Sequence, residues 1–134
     1  MNGASHEALA SACMKGAESG SMSFPEIIGA LMQAGFDGYA VDFRRGQATY
    51  YPPDAPALDI ALHPLSSAIA LCFDAEAIRT AIREAQNNIP GYTYLGFCDK
   101  AARGGCAGYL VSLPGRRVVY YGRDGETHIE HFPR

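Results

Sequence analysis

Two spacings of apolar residues follow one another along this chain, a helical one of three and four and a strand one of two, and the order is stated twice. Residues 5–19 carry a modest helical face of Leu9, Ala12, Cys13 and Ala17, with Ser5 placed to cap it and Gly20 to Ser23 closing it. A second helix has stronger signals. Ser23 stands at its cap with Glu26 three residues on, the spacing of a capping box, and Pro25 falls in the first turn, where a missing amide proton costs nothing. Ile27, Leu31 and Ala34 keep the helical spacing, and Gly35 marks a left-handed exit. The period then drops to two. A strand over 38–43 sets Tyr39, Val41 and Phe43 on one face and Ala40 and Asp42 on the other. Arg44, Arg45 and Gly46 make a turn, and 47–51 return with Tyr50 beside Tyr39 while Thr49 and Tyr51 share the face of Asp42. After a proline-broken loop, 58–63 alternates again, with Leu58, Ile60 and Leu62 inward and Asp59 and His63 outward.

Residues 64–73 fit a buried strand or the approach to a helix, and the pattern does not choose between them. Asp74 then caps a third helix whose Ile78, Ile82, Ala85 and Ile89 share a face, and Thr93 caps a fourth in which Tyr94, Phe97, Cys98 and Ala101 stand where the second has Phe24, Ile27, Ile28 and Leu31. Strands follow over 108–113, 117–121 and 127–132, the first two joined at Pro114–Gly115, where proline presets one angle and glycine is expected to supply a positive one. Gly35/Gly105, Gly38/Gly108, Tyr39/Tyr109, Val41/Val111, Tyr50/Tyr120, Tyr51/Tyr121 and Asp54/Asp124 repeat at a gapless offset of seventy, and Phe132–Pro133 echoes His63–Pro64 at sixty-nine. The expectation is one domain, 1–134, built from a repeat of about 1–64 and 71–134. Its class is α+β: a two-layer sandwich of helix-helix-strand-strand-strand twice, with an antiparallel sheet and helices on one face.

Composition changes this picture little. At 134 residues the chain can bury about two-thirds of its unfolded surface. A net charge of −3 argues against nucleic acid or an anionic membrane as the main partner. The opening residues lack the charged region and apolar core of a signal peptide, and no apolar run nears the roughly 20 residues of a membrane span. Cys13, Cys72, Cys98 and Cys106 form no CxxC, so the expected setting is a reducing cytoplasm without cofactors.

The repeated segments GFDGYAVDFRRGQATYY and GCAGYLVSLPGRRVVYYGRDGETHIEHFP resemble the YbcV/YdfO-like bacterial and prophage-associated proteins, a family sometimes labelled "phage envelope protein". The resemblance covers nearly the whole chain and implies a small α+β domain. It implies no reaction and no functional residues.

Four groups of residues are candidates for a role. The alternation places Asp42, Thr49, Tyr51, Asp59 and His63, then Leu110, Ser112, Arg117, Val119, Tyr121, His128 and Glu130, on the sheet face away from the helices. Solvent is one account of such a face, but Leu110, Val119 and Tyr121 suit a partner better. Asp59, His63, His128, Glu130 and His131 pair carboxylates with imidazoles, as a metal or general acid-base site requires, although HxExH on a strand splits its members between faces. Cys98 and Cys106 stand where the other copy has Ile28 and Phe36, which makes them small core hydrophobes rather than nucleophiles. Arg44, Arg45, Arg116 and Arg117 at the hairpin tips, with Arg123 on the next turn, could grip phosphate or simply keep exposed turns soluble. The favoured expectation is a non-enzymatic accessory or interaction protein that forms a homodimer through the open sheet face and has a protein partner. A small-molecule binder or minor enzyme using the Asp/His/Glu set comes second, and weak nucleic-acid binding third.

Overall fold

The computed structural model describes residues 3–132, with side chains described from His6 onward. Helices α1 (Gly3–Ser19) and α2 (Phe24–Gln33) precede strands β1 (Gly38–Asp42), β2 (Gln47–Tyr51) and β3 (Leu58–Ala61). Helices α3 (Ala75–Gln86) and α4 (Tyr94–Arg103) precede β4 (Cys106–Ser112), β5 (Arg117–Gly122) and β6 (Thr127–His131). The caps that start α2 to α4 are those the sequence announces. The Ser23 amide donates to Glu26 Oε1 at 2.8 Å while the Glu26 amide donates to Ser23 Oγ at 3.3 Å. Asp74 and Thr93 accept from the amides of Ala77 and Gly96. Helix α1 runs from Gly3, so position 5 lies within it, and the expected Ser5 cap falls on a side chain outside those described.

The six strands form one antiparallel sheet in the order β3-β2-β1-β4-β5-β6. The two halves meet at β1 and β4, and their backbone hydrogen bonds come in pairs seventy residues apart. The Phe43 amide donates to the Ala107 carbonyl and the Leu113 amide to Asp37; likewise Leu62 donates to Gly46 and Phe132 to Arg116. The structural mate of Phe132 is thus Leu62, not the His63 that the sixty-nine-residue echo suggests; Pro133 lies outside the described residues.

One face of the sheet is packed under the helices. Tyr39, Val41, Ala48, Tyr50, Tyr109, Val111, Val118 and Tyr120 are all buried there, against Ile27, Ile28 and Leu31 of α2 and Phe97, Cys98 and Ala101 of α4. Tyr39 stacks on Tyr50 with centroids 4.8 Å apart, and the Tyr94 and Tyr109 hydroxyls lie 2.6 Å apart, so these rings fill the core and the Tyr94 and Tyr109 polar ends are paired inside it. Two expected helix faces differ. Among the described residues of α1 the buried side chains are His6, Ala10, Cys13 and Met14, with Ala12 exposed; Ala10, Cys13 and Met14 match Ile78, Ala81 and Ile82 of α3 at an offset of sixty-eight. Ile89 lies beyond the end of α3, whose C-cap is Asn87.

The connector 64–73 is neither strand nor helix. It is tied down by side chains of the second half: Asp99 accepts from the amides of Ser66 and Ser67 and from the Ser66 hydroxyl, and Asp124 accepts from the Phe73 amide. At the second hairpin the positive φ belongs to Arg116 (52°) rather than to Gly115, since Arg116 occupies the place of Gly46 (68°) in the first.

Candidate functional site

Cross-strand partners share a face, so the register defines the side of the sheet that no helix covers. Its middle row runs Asp59–Thr49–Ala40–Leu110–Val119–Ile129 across all six strands. On one flank lie Tyr51, Ser112, Arg117 and His131, and on the other Gln47, Asp42, Tyr121 and Thr127. The first half of the row is polar, with Thr49 Oγ1 donating to Asp59 Oδ1 at 2.8 Å. The second half is apolar and open: Leu110 is 41% exposed and Ile129 44%, with Val119 half-buried between them. Tyr51 adds an exposed ring at one corner, and Tyr121 lies over the bare backbone of Gly108, where a β-carbon would strike its ring. Burial, with Asp42 nearby, pushes the Tyr121 phenol up from its usual range.

His128 and Glu130 do not belong to this face. They pair with Tyr120 and Val118, both buried, and so point to the helix side, while Ile129 takes the open side. The alternation of two holds along β6, but its phase is one residue from that expected, and a one-residue slip exchanges the faces. The seventy-residue repeat carries the signal that finds the right register: it sets His128 and Glu130 on Leu58 and Ile60, the inward residues of β3. There His128 Nε2 lies 3.0 Å from Glu130 Oε2, and its ring stacks on Tyr120 at 6.4 Å.

The Asp/His/Glu set is therefore not one site. Asp59 on β3 and the His128–Glu130 pair on β6 lie at opposite edges of the sheet, about 24 Å apart, and on opposite faces. His63 lies past the end of β3, where its amide donates to Glu18 of α1. Among the described residues no three His, Cys, Asp or Glu side chains come together to hold a metal ion. Cys13, Cys98 and Cys106 are buried free thiols, with burial pushing Cys98 to about 12 and Cys106 to about 11, and Cys72 is exposed.

The two arginine-bearing hairpin tips also stay apart. Because β1 and β4 are antiparallel, residues 43–46 and 113–116 sit at opposite ends of the sheet, about 30 Å from each other, and cannot close on one phosphate. Arg123, on the β5–β6 turn, falls at the end of Arg44 and Arg45; Arg116 falls at the other, its guanidinium 5.7 Å from the Phe132 ring centre. Among the described residues no helix is long and apolar enough to cross a membrane.

The family model described as a protein of unknown function (DUF1398) matches residues 12–130, and the chain belongs to that family. No curated protein gives a significant match.

Proposed function

We propose that this DUF1398 member is a non-enzymatic accessory protein of the cytoplasm that pairs with a second copy of itself through the uncovered sheet face. The YbcV/YdfO-like, prophage-associated label belongs to the same reading. The observation that carries it is the apolar half-row Leu110–Val119–Ile129, which runs open and unbroken from the centre of the sheet face to its β6 edge. An antiparallel sheet tolerates water on one side when that side is polar, and each large aliphatic side chain transferred out of water contributes about 1.5–3 kcal/mol.

The second copy is favoured because the face is self-complementary. A two-fold axis running along the middle row lays Leu110, Val119 and Ile129 on the same residues of the partner. The flanking rows then exchange, which sets Arg117 over a tyrosine, Tyr121 of the partner subunit; a like pair meets only at the β3 edge of the row, Asp59 on Asp59, whose carboxylate already accepts from Thr49 Oγ1.

Size-exclusion chromatography with light scattering tests this on the parent chain, Val119→Asp and Tyr121→Asp, with circular dichroism as a control for folding. The expected result is a parent dimer that both variants dissociate while staying folded. A monomeric parent at high concentration, or a dimer indifferent to both substitutions, overturns the reading.

A further inference from the structure

Away from the open face, the end of the sheet that carries the first hairpin tip holds a groove of about 420 Å³ between that tip and residues 62–69. Its apolar floor comes from Phe43, Leu62 and Leu65, and Arg44, Arg45 and His63 stand around it with no carboxylate in the lining. The two acids beside it are committed to backbone amides: Asp42 Oδ1 accepts from Arg44 and Arg45, which fixes the tip, and Glu18 Oε2 accepts from His63 at 2.9 Å. Among the described residues neither guanidinium makes an ion pair. Two more arginines reinforce the wall, Arg103 donating to Ser67 Oγ at 3.1 Å and Arg123 to the Ile69 carbonyl at 3.3 Å. The wall is formed by the connector that joins the two repeats, between β3 and α3.

From this geometry we infer a binding site for a small organic phosphate, its apolar part on Phe43 and Leu65 and its phosphate on Arg44, Arg45 and His63. Guanidinium groups bind phosphate oxygens through paired N–H donors, and an imidazole adds a donor. The volume falls in the range of small-ligand pockets, roughly 300–1,000 Å³. A nucleic-acid strand is disfavoured because the other basic tip lies at the far end of the sheet, so no continuous basic track follows a backbone. The site is independent of self-association: its residues lie on the tip and connector, not in the middle row.

Phenyl phosphate titrated into the isotopically labelled full-length chain, followed by amide chemical shifts, tests the site. Shifts are expected at 43–46 and 62–69, with Kd raised about tenfold or more by Arg45→Glu and unchanged by Arg116→Glu at the opposite tip. Retention of the parent's oligomeric state in Arg45→Glu separates this result from the pairing of sheet faces. Absence of shifts at millimolar phenyl phosphate, equal loss in Arg116→Glu, or shifts with a single-stranded oligonucleotide and none with phenyl phosphate would each overturn the assignment.

Discussion

Ala40 stands directly opposite Leu110 in the β1–β4 ladder, and Leu110 is the residue that occupies Ala40's place in the second repeat. In a ladder of this register each residue faces a different one, but a repeat offset of seventy leaves one pair facing itself. The pseudo-two-fold axis of the chain therefore passes between these two residues. On the inner side the neighbours of this point are equivalent, with Val41 against Tyr109 and Val111 against Tyr39, both valines fully buried. Val41→Ala and Val111→Ala are expected to cost about 2 kcal/mol each and to agree within about 0.5 kcal/mol, as denaturant unfolding would show. Costs differing severalfold would mean that the two halves of the core are not energetically equivalent.

Gly35 and Gly105 are repeat mates with φ of 83° and 89°, yet their surroundings differ. A β-carbon at Gly35 would touch only the Pro53 ring, at 3.4 Å, whereas at Gly105 it would collide with the backbone of Cys72 and Phe73. Gly35→Ala should cost about 1–2 kcal/mol from backbone conformation alone. Gly105→Ala should cost clearly more and free the connector as well. Thermal unfolding of the two variants checks the order.

The first repeat also predicts what an apolar replacement of the His128–Glu130 pair would do, since Leu58 and Ile60 hold those places in β3. The double variant His128→Leu/Glu130→Ile is expected to be neutral or more stable by about 1 kcal/mol. Glu130→Ile by itself removes the partner of a largely covered imidazole and should be the least stable of the series. A double-mutant cycle in urea measures both, and a double variant that unfolds would mean the pair has a role that packing does not replace.

Acid should loosen the connector before the core. The Ser66 hydroxyl first, then the Ser66 and Ser67 amides and Arg103, holds Asp99 below the usual carboxylate range, and the Phe73 amide does the same for Asp124. Groups depressed in the fold stabilise it fully above the unfolded value, near 3.9, and lose that contribution as pH falls through the lower folded value. The amide resonances of Ser66, Ser67 and Phe73 should therefore move, and their protection fall, below about pH 4. Asp99→Asn should remove that pH response at Ser66 and Ser67 and leave it at Phe73.

Thiol chemistry should separate Cys72 from the rest. Burial raises the thiols of Cys13, Cys98 and Cys106 and closes them to reagents, while Cys72 lies on the exposed connector. A native-state titration with an aromatic disulfide reagent should count one fast thiol and find three more after unfolding. More than one fast thiol would show that the core opens locally.

Much of this protein is determined by local sequence. The Ser23–Glu26 box, the Asp74 and Thr93 caps, the glycine exits and the alternation from Tyr39 to Val41 each act through neighbours a few residues away, so element type and the inner face of the first hairpin follow from spacing. The repeat extends that legibility, since it assigns Cys98 and Cys106 to the core and, read through at seventy, turns His128 inward. What tertiary structure decided is which separated elements meet. The antiparallel join of β1 to β4 sends the two arginine tips to opposite ends, and the shape of residues 64–73 depends on Asp99 and Asp124, thirty or more positions further along. A segment held by distant side chains carries no period of its own, because its hydrogen bonds are satisfied by the partner rather than by itself.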